Sequence, residues 1–101
     1  MQAFIFKEIV MERLIGLRDK VDIIDKQMAK LFAERIELVK EIAQVKKELE
    51  LPIYDQGRET FILIRNGAFI ENRETRVMYF EMLNKMFELT KKMQEEILHQ
   101  N

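Results

Sequence analysis

The sequence predicts an all-α chain of three helices, long, short and long, that pairs with a second copy of itself. Three observations predict it. Apolar residues from Leu17 to Leu49 recur at alternating steps of four and three, which is the spacing of a coiled-coil seam. Only three glycines and one proline punctuate 101 residues, so few turns are available. No stretch alternates with period two for long enough to argue for a strand.

Residues 1–13, MQAFIFKEIVMER, carry Phe4, Ile5, Ile9 and Val10 at helical spacing. They read either as a helical lead into the first long helix or as a partly ordered extension. That helix runs to about Glu50 and is stopped by Pro52, which lacks an amide hydrogen and biases the residue before it away from helix. Its seam is Leu17, Val21, Ile24, Met28, Leu31, Arg35, Leu38, Ile42, Val45 and Leu49, nine apolar positions and one arginine. From Leu14 to Glu50 the helix is about 55 Å long, whereas a compact domain of this size spans about 35 Å. The helix outruns what its own domain can cover, so a homodimer built along it is expected.

Leu51 to Tyr54 read as a short linker. Asp55 is placed to cap a second helix, with Glu59 in its first turn favouring the helix dipole. Gly57 weakens that turn a little. The second helix runs to about Arg65, where Asn66-Gly67 reads as a C-cap. A loop, Ala68 to Glu71, follows. Asn72 then caps a third helix that continues to about Leu98, with Phe80, Leu83, Phe87, Thr90, Gln94 and Ile97 along one face. Residues 1–101 make a single domain, with 1–13 as an N-terminal extension.

Composition removes several classes of function. With 17 basic and 18 acidic residues the net charge is −1, so neither nucleic acid nor any other large polyanion is expected as a partner. Cysteine, serine and tryptophan are absent, and the one histidine is His99, close to the C-terminus. Ser–His and Cys–His nucleophiles are therefore excluded. A zinc ion would find almost only carboxylates, a poor ligand set, and neither metal nor cofactor is expected. No apolar run approaches the roughly 20 residues that span a membrane, and the N-terminus lacks the pattern of a signal peptide. A cytoplasmic location is the expectation.

The polar residues on the inner faces are more informative. Arg35 interrupts an otherwise apolar seam, where an unpaired charge is costly. Either a carboxylate such as Glu59 or Asp55 pairs with it, or it awaits an anionic ligand. Arg35 and Lys46 are eleven residues apart and differ by only about 20° around the helix, so they share a face about 16 Å apart. Arg18 lies about 100° away from Arg35 and points elsewhere, toward another subunit. Asp55, Arg58 and Glu59 share one face of the second helix, and Thr90 and Gln94 one face of the third. Each has a plainer alternative: solvated surface charges, a threonine bonded back to its own helix, a glutamine exposed near a fraying end. Together they suit a small, compact polyanion, because arginine's planar fork matches carboxylates. Lysine and glutamine can also donate to an oxygen that gains charge in a transition state.

These residues resemble the all-helical AroQ class of chorismate mutases over roughly residues 14–98. Leu17-Arg18-Asp19-Lys20-Val21-Asp22-Ile23-Ile24-Asp25 looks like the family's opening LR-x-x-I-D-x-I-D run, and Leu31-Phe32-Ala33-Glu34-Arg35 like its L-x-x-E/A-R segment. Lys46 follows that arginine at the family's spacing. Pro52-Ile53-Tyr54-Asp55-Gln56-Gly57-Arg58-Glu59 resembles its P-[IV]-x-D-x-x-R-E signature. The resemblance implies an intertwined dimer with two active sites that rearrange chorismate to prephenate, on the route to phenylalanine and tyrosine. It implies that Arg35, with Arg18 from the partner chain, clamps the two carboxylates, supported by Arg58. Lys46 and Gln94 would donate to the ether oxygen, Glu59 would bind the ring hydroxyl, Asp55 would help shape the pocket entrance, and Thr90 would be the substrate-binding hydroxyl residue four positions before the glutamine. Thr90 stands where the family's serine is expected, and the extension and Gly57 also depart from the pattern.

Two alternatives are weighed against it. An isochorismate pyruvate-lyase shares the fold and a similar cationic site. A non-catalytic helical dimerisation or regulatory module needs no substrate at all. Mutase domains are often fused to a dehydratase, dehydrogenase or synthase; nothing after Leu98 continues toward one, so a free-standing enzyme is expected, with a domain cut from a larger enzyme as the alternative that would look the same.

Overall fold

The computed structural model describes residues 2–100; Met1, which begins the predicted extension, and Asn101 lie outside the described residues. Three helices form among them, α1 (Gln2–Glu48), α2 (Gln56–Gly67) and α3 (Arg73–Leu98), and no strand. The chain divides after Arg35 into two compact units.

The first unit is helical from Gln2 onward, which decides between the two readings of residues 2–13 in favour of helix. Its predicted seam is not covered by the chain itself: Leu17, Ile24 and Leu31 are 50%, 54% and 63% exposed. Arg18 is exposed and Arg35 is half-buried.

The second unit begins at Ile36 and holds the end of α1 with all of α2 and α3. Here α1 buries Val39 and Ala43, which are i and i+4 and so share a face. Leu38, Ile42, Val45 and Leu49 continue the heptad seam and stay about half exposed. At 100° per residue the two sets point roughly 110° apart. The helix therefore has one face for its own chain and another that its chain leaves open.

The end of α1 differs from the sequence reading in its cause. Pro52 does not itself break the helix. The Leu51 amide donates to the Lys46 carbonyl at 2.8 Å and the Glu50 amide to the Lys47 carbonyl at 3.3 Å. This is the bond pair of a Schellman motif, with Glu50 in the left-handed position (φ 56°) that glycine usually takes. Proline then follows two residues later, where it cannot resume the helix.

Both predicted N-caps form. Asp55 Oδ1 accepts from the Arg58 amide at 3.0 Å, and Asn72 Oδ1 accepts from the Thr75 amide at 2.8 Å. The predicted C-cap at Asn66-Gly67 does not. Gly67 is the last residue of α2, and the residue after it, Ala68, is right-handed (φ −64°, ψ −21°). The pair instead joins two helices. Asn66 Nδ2 donates to Tyr79 Oη at 3.0 Å. A Cβ on Gly67 would stand 2.7 Å from Phe80 Cζ, so only a residue without one lets the ring approach. Beside this contact lies the core of the unit, Ile62 of α2 against Leu83 and Phe87 of α3, flanked by Leu63, Tyr79 and Met86. Leu83, Phe87, Thr90, Gln94 and Ile97 are the buried residues of α3, the face that the three-and-four spacing selects.

Candidate active site

Lys46 is fixed by the same turn that ends α1. Its carbonyl accepts from Leu51, and its ammonium reaches forward to donate to the Ile53 carbonyl at 2.8 Å. The linker thus folds back over the lysine, which keeps the stem half-buried and the charged head aimed along α3. There it meets Gln94: Lys46 Nζ donates to Gln94 Oε1 at 3.2 Å. Gln94 is 7% exposed, far from the fraying surface residue that its place near the C-terminus allowed. Because its oxygen is turned to the lysine, its NH2 end is left as the donor side of the amide.

Thr90 lies one turn before Gln94 and is 5% exposed. Its hydroxyl donates to the Phe87 carbonyl at 3.2 Å, the back-bonded arrangement open to a helical threonine. On α2, Glu59 is half-buried and pairs with Lys91 of α3 at 3.3 Å. The Lys91 ammonium also lies 4.5 Å from the centroid of the Tyr54 ring, a cation–π distance.

The other predicted residues are placed differently. Asp55 is exposed, and its Oδ1 is committed to capping α2. Arg58 is exposed, with its guanidinium 5.7 Å from the centroid of the Phe61 ring. Arg18 and Arg35 belong to the first unit. Within the second unit the predicted Lys46 and Gln94 come into direct contact, while Glu59 bonds to a residue the sequence reading passed over. Lys91 had one available signal: it lies i+1 from Thr90 and i−3 from Gln94, beside the polar face of α3. Nothing in the sequence tied it to Tyr54 or Glu59.

Chemically the cluster is two ammonium groups, one carboxylate, one buried amide and one hydroxyl. It carries one net positive charge, in contrast with the −1 of the whole chain. It holds no nucleophile with a partner base, and it can bind an anion and donate hydrogen bonds to it in a partly desolvated setting, where such bonds are strengthened.

The chain matches the model of the chorismate mutase type II family over residues 17–95. It is 43% identical over 56 residues to a chorismate mutase of Methanocaldococcus jannaschii, covering 55% of this chain and 57% of that one. It is 43% identical over 53 residues to the T-protein of Haemophilus influenzae, covering 52% of this chain and 14% of the relative. A bifunctional chorismate mutase/prephenate dehydratase of Enterobacter agglomerans is 44% identical over 50 residues, 50% of this chain and 13% of that protein. The chain thus spans a little over half of the first relative and a small part of the other two. No solved structure matches it significantly.

Proposed function

Since the chain belongs to the chorismate mutase type II family, we propose that it rearranges chorismate to prephenate. In this Claisen rearrangement the ether C–O bond breaks as a C–C bond forms within one molecule. No proton, electron or second substrate is exchanged. The protein's task is to hold the compact diaxial conformer and to stabilise the charge that builds on the ether oxygen.

The single observation that carries this reading is the Lys46–Gln94 contact at 3.2 Å. It brings a cation and a buried amide to one point across 48 residues of sequence. Two donors preorganised at one point suit an oxygen that becomes negative in the transition state. Glu59 accepts from the ring hydroxyl. Arg35, and Arg18 of a partner chain, bind the carboxylates, with Arg58 adding positive charge. Asp55 holds the start of α2, and Thr90 supplies a hydroxyl one turn before Gln94 on the same buried face.

The dimer is part of the proposal. Its support is the exposed heptad seam: Leu17, Val21, Ile24, Met28, Leu31, Leu38, Ile42, Val45 and Leu49 are all about half exposed or more. An exposed apolar seam of that kind marks an interaction surface, and heptad spacing matches a helix of the same period. Equilibrium sedimentation that finds only monomer at high concentration would sink it.

The test of function is to incubate the pure protein with chorismate and, separately, with isochorismate, and to separate the products by chromatography. Prephenate from chorismate is expected. Pyruvate and salicylate from isochorismate, without prephenate from chorismate, reassigns the chain to the lyase. Arg35→Ala separates enzyme from scaffold: an enzyme loses nearly all turnover and stays folded, whereas a non-catalytic dimer keeps or gains stability with nothing else to lose.

A further inference from the structure

We propose that Lys91 is a positioning residue for the rearrangement, acting through Glu59, whose carboxylate it holds for the substrate's ring hydroxyl. The inference rests on the mutase reading above. The Lys91 ammonium straddles both oxygens of Glu59, 3.4 Å from Oε1 and 3.3 Å from Oε2. The same ammonium lies 4.5 Å from the centroid of the Tyr54 ring. Three elements meet at this one charge: α3 supplies the lysine, α2 the carboxylate and the linker the ring.

The chemistry of the two groups separates a positioning role from direct contact. An ammonium has three N–H donors. One donates to Glu59 Oε1 at 3.4 Å, Oε2 lies 3.3 Å from the same nitrogen, and the Tyr54 ring covers another side of the head at 4.5 Å, so the ammonium is already engaged by the protein. An ionised carboxylate has about four lone-pair sites. Lys91 donates to Oε1 and pairs electrostatically with Oε2, which leaves lone pairs to which a substrate hydroxyl can donate. The lysine therefore fixes the orientation of the glutamate without consuming its capacity to accept.

Burial makes the hold effective. The two side chains are 32% and 21% exposed, so the pair is screened less than a surface salt bridge. A free glutamate side chain would turn its carboxylate toward water. The linker is held twice over: Lys46 takes the Ile53 carbonyl and Lys91 the ring of the next residue. The two lysines thus clamp consecutive linker residues from α1 and α3.

The test is a kinetic double-mutant cycle on the full chain with chorismate, using Lys91→Met, Glu59→Gln and both together. Lys91→Met is expected to lower kcat/KM on the order of 10- to 100-fold, the scale of a misplaced reacting group. In the Glu59→Gln background it is expected to cost nothing further. Lys91→Arg, which can still straddle a carboxylate, is expected to recover most of the loss. Competitive inhibition by an analogue lacking the ring hydroxyl is expected to be the same in wild type and Lys91→Met. If Lys91→Met does not fold, Lys91→Gln carries the same comparison. Losses that add in the double variant, or an equal loss of affinity for the hydroxyl-free analogue, make Lys91 a direct contact or a scaffold residue and overturn the proposal. A wild-type protein that leaves chorismate unchanged is a different result: it overturns the mutase reading and the positioning role with it.

Discussion

Replacing Gln94 with methionine separates the chemical use of its amide from its structural use. The side chain is 7% exposed and accepts from Lys46 at 3.2 Å. Methionine has nearly the same length and no amide. A hydrogen bond to a charged donor contributes about 1.5–3 kcal/mol when its loss strands the charge. Lys46 is not stranded, because it is half-buried and keeps the Ile53 carbonyl at 2.8 Å. The loss therefore lies near the low end, about 1.5 kcal/mol. Removing a buried amide in favour of an apolar group offsets about 1–3 kcal/mol of desolvation. Gln94→Met is expected to leave stability within about 1 kcal/mol of wild type by this balance. Turnover is expected to respond quite differently. Deleting one donor from a preorganised site typically lowers kcat on the order of 10²- to 10³-fold, or about 2.7–4 kcal/mol. Urea unfolding followed by circular dichroism reads the first quantity, and the disappearance of chorismate absorbance reads the second. A kcat within about threefold of wild type would show that the amide does not meet the developing charge. A stability loss above about 3 kcal/mol would make it a structural bond instead.

Three further outcomes follow from the fold. Glu50 occupies the left-handed region at φ 56°, where a side chain costs about 1–2 kcal/mol, so Glu50→Gly is expected to raise the thermal midpoint, with a gain of about 1 kcal/mol. Gly67→Ala brings a methyl to 2.7 Å from Phe80; overpacking of about 1–3 kcal/mol outweighs a helix-propensity gain of about 1 kcal/mol, and Phe80→Leu in the same chain should recover part of the loss in urea unfolding. Asp55→Ala and Asn72→Ala each remove an N-cap, at a cost of about 1 kcal/mol. The larger loss is expected at Asn72, whose Oδ1 also accepts from the Thr75 hydroxyl.

Local pattern alone specifies the three helices, their two N-caps and the inner face of α3. These features are set by interactions within a few residues, namely periodicity, a side-chain oxygen three positions before an amide, and a proline after a stop. It also marks Arg35, Lys46, Glu59, Thr90 and Gln94 together with Arg18, Asp55 and Arg58 as polar candidates, the last three of which are exposed. What those residues touch follows from how the helices pack. The Lys46–Gln94 bond spans 48 residues and the Glu59–Lys91 bond 32, distances over which no local rule acts. Asn66-Gly67 shows the same limit: a dipeptide with the composition of a C-cap serves instead as the contact between α2 and α3, because the Phe80 ring needs the space and Tyr79 supplies the partner. Glu50 shows the converse, a left-handed position that its residue type does not advertise and that the Schellman bonds impose. Local propensity fixes where a helix begins and which face is apolar, whereas partners depend on how faces pack, and packing is a property of the assembled helices.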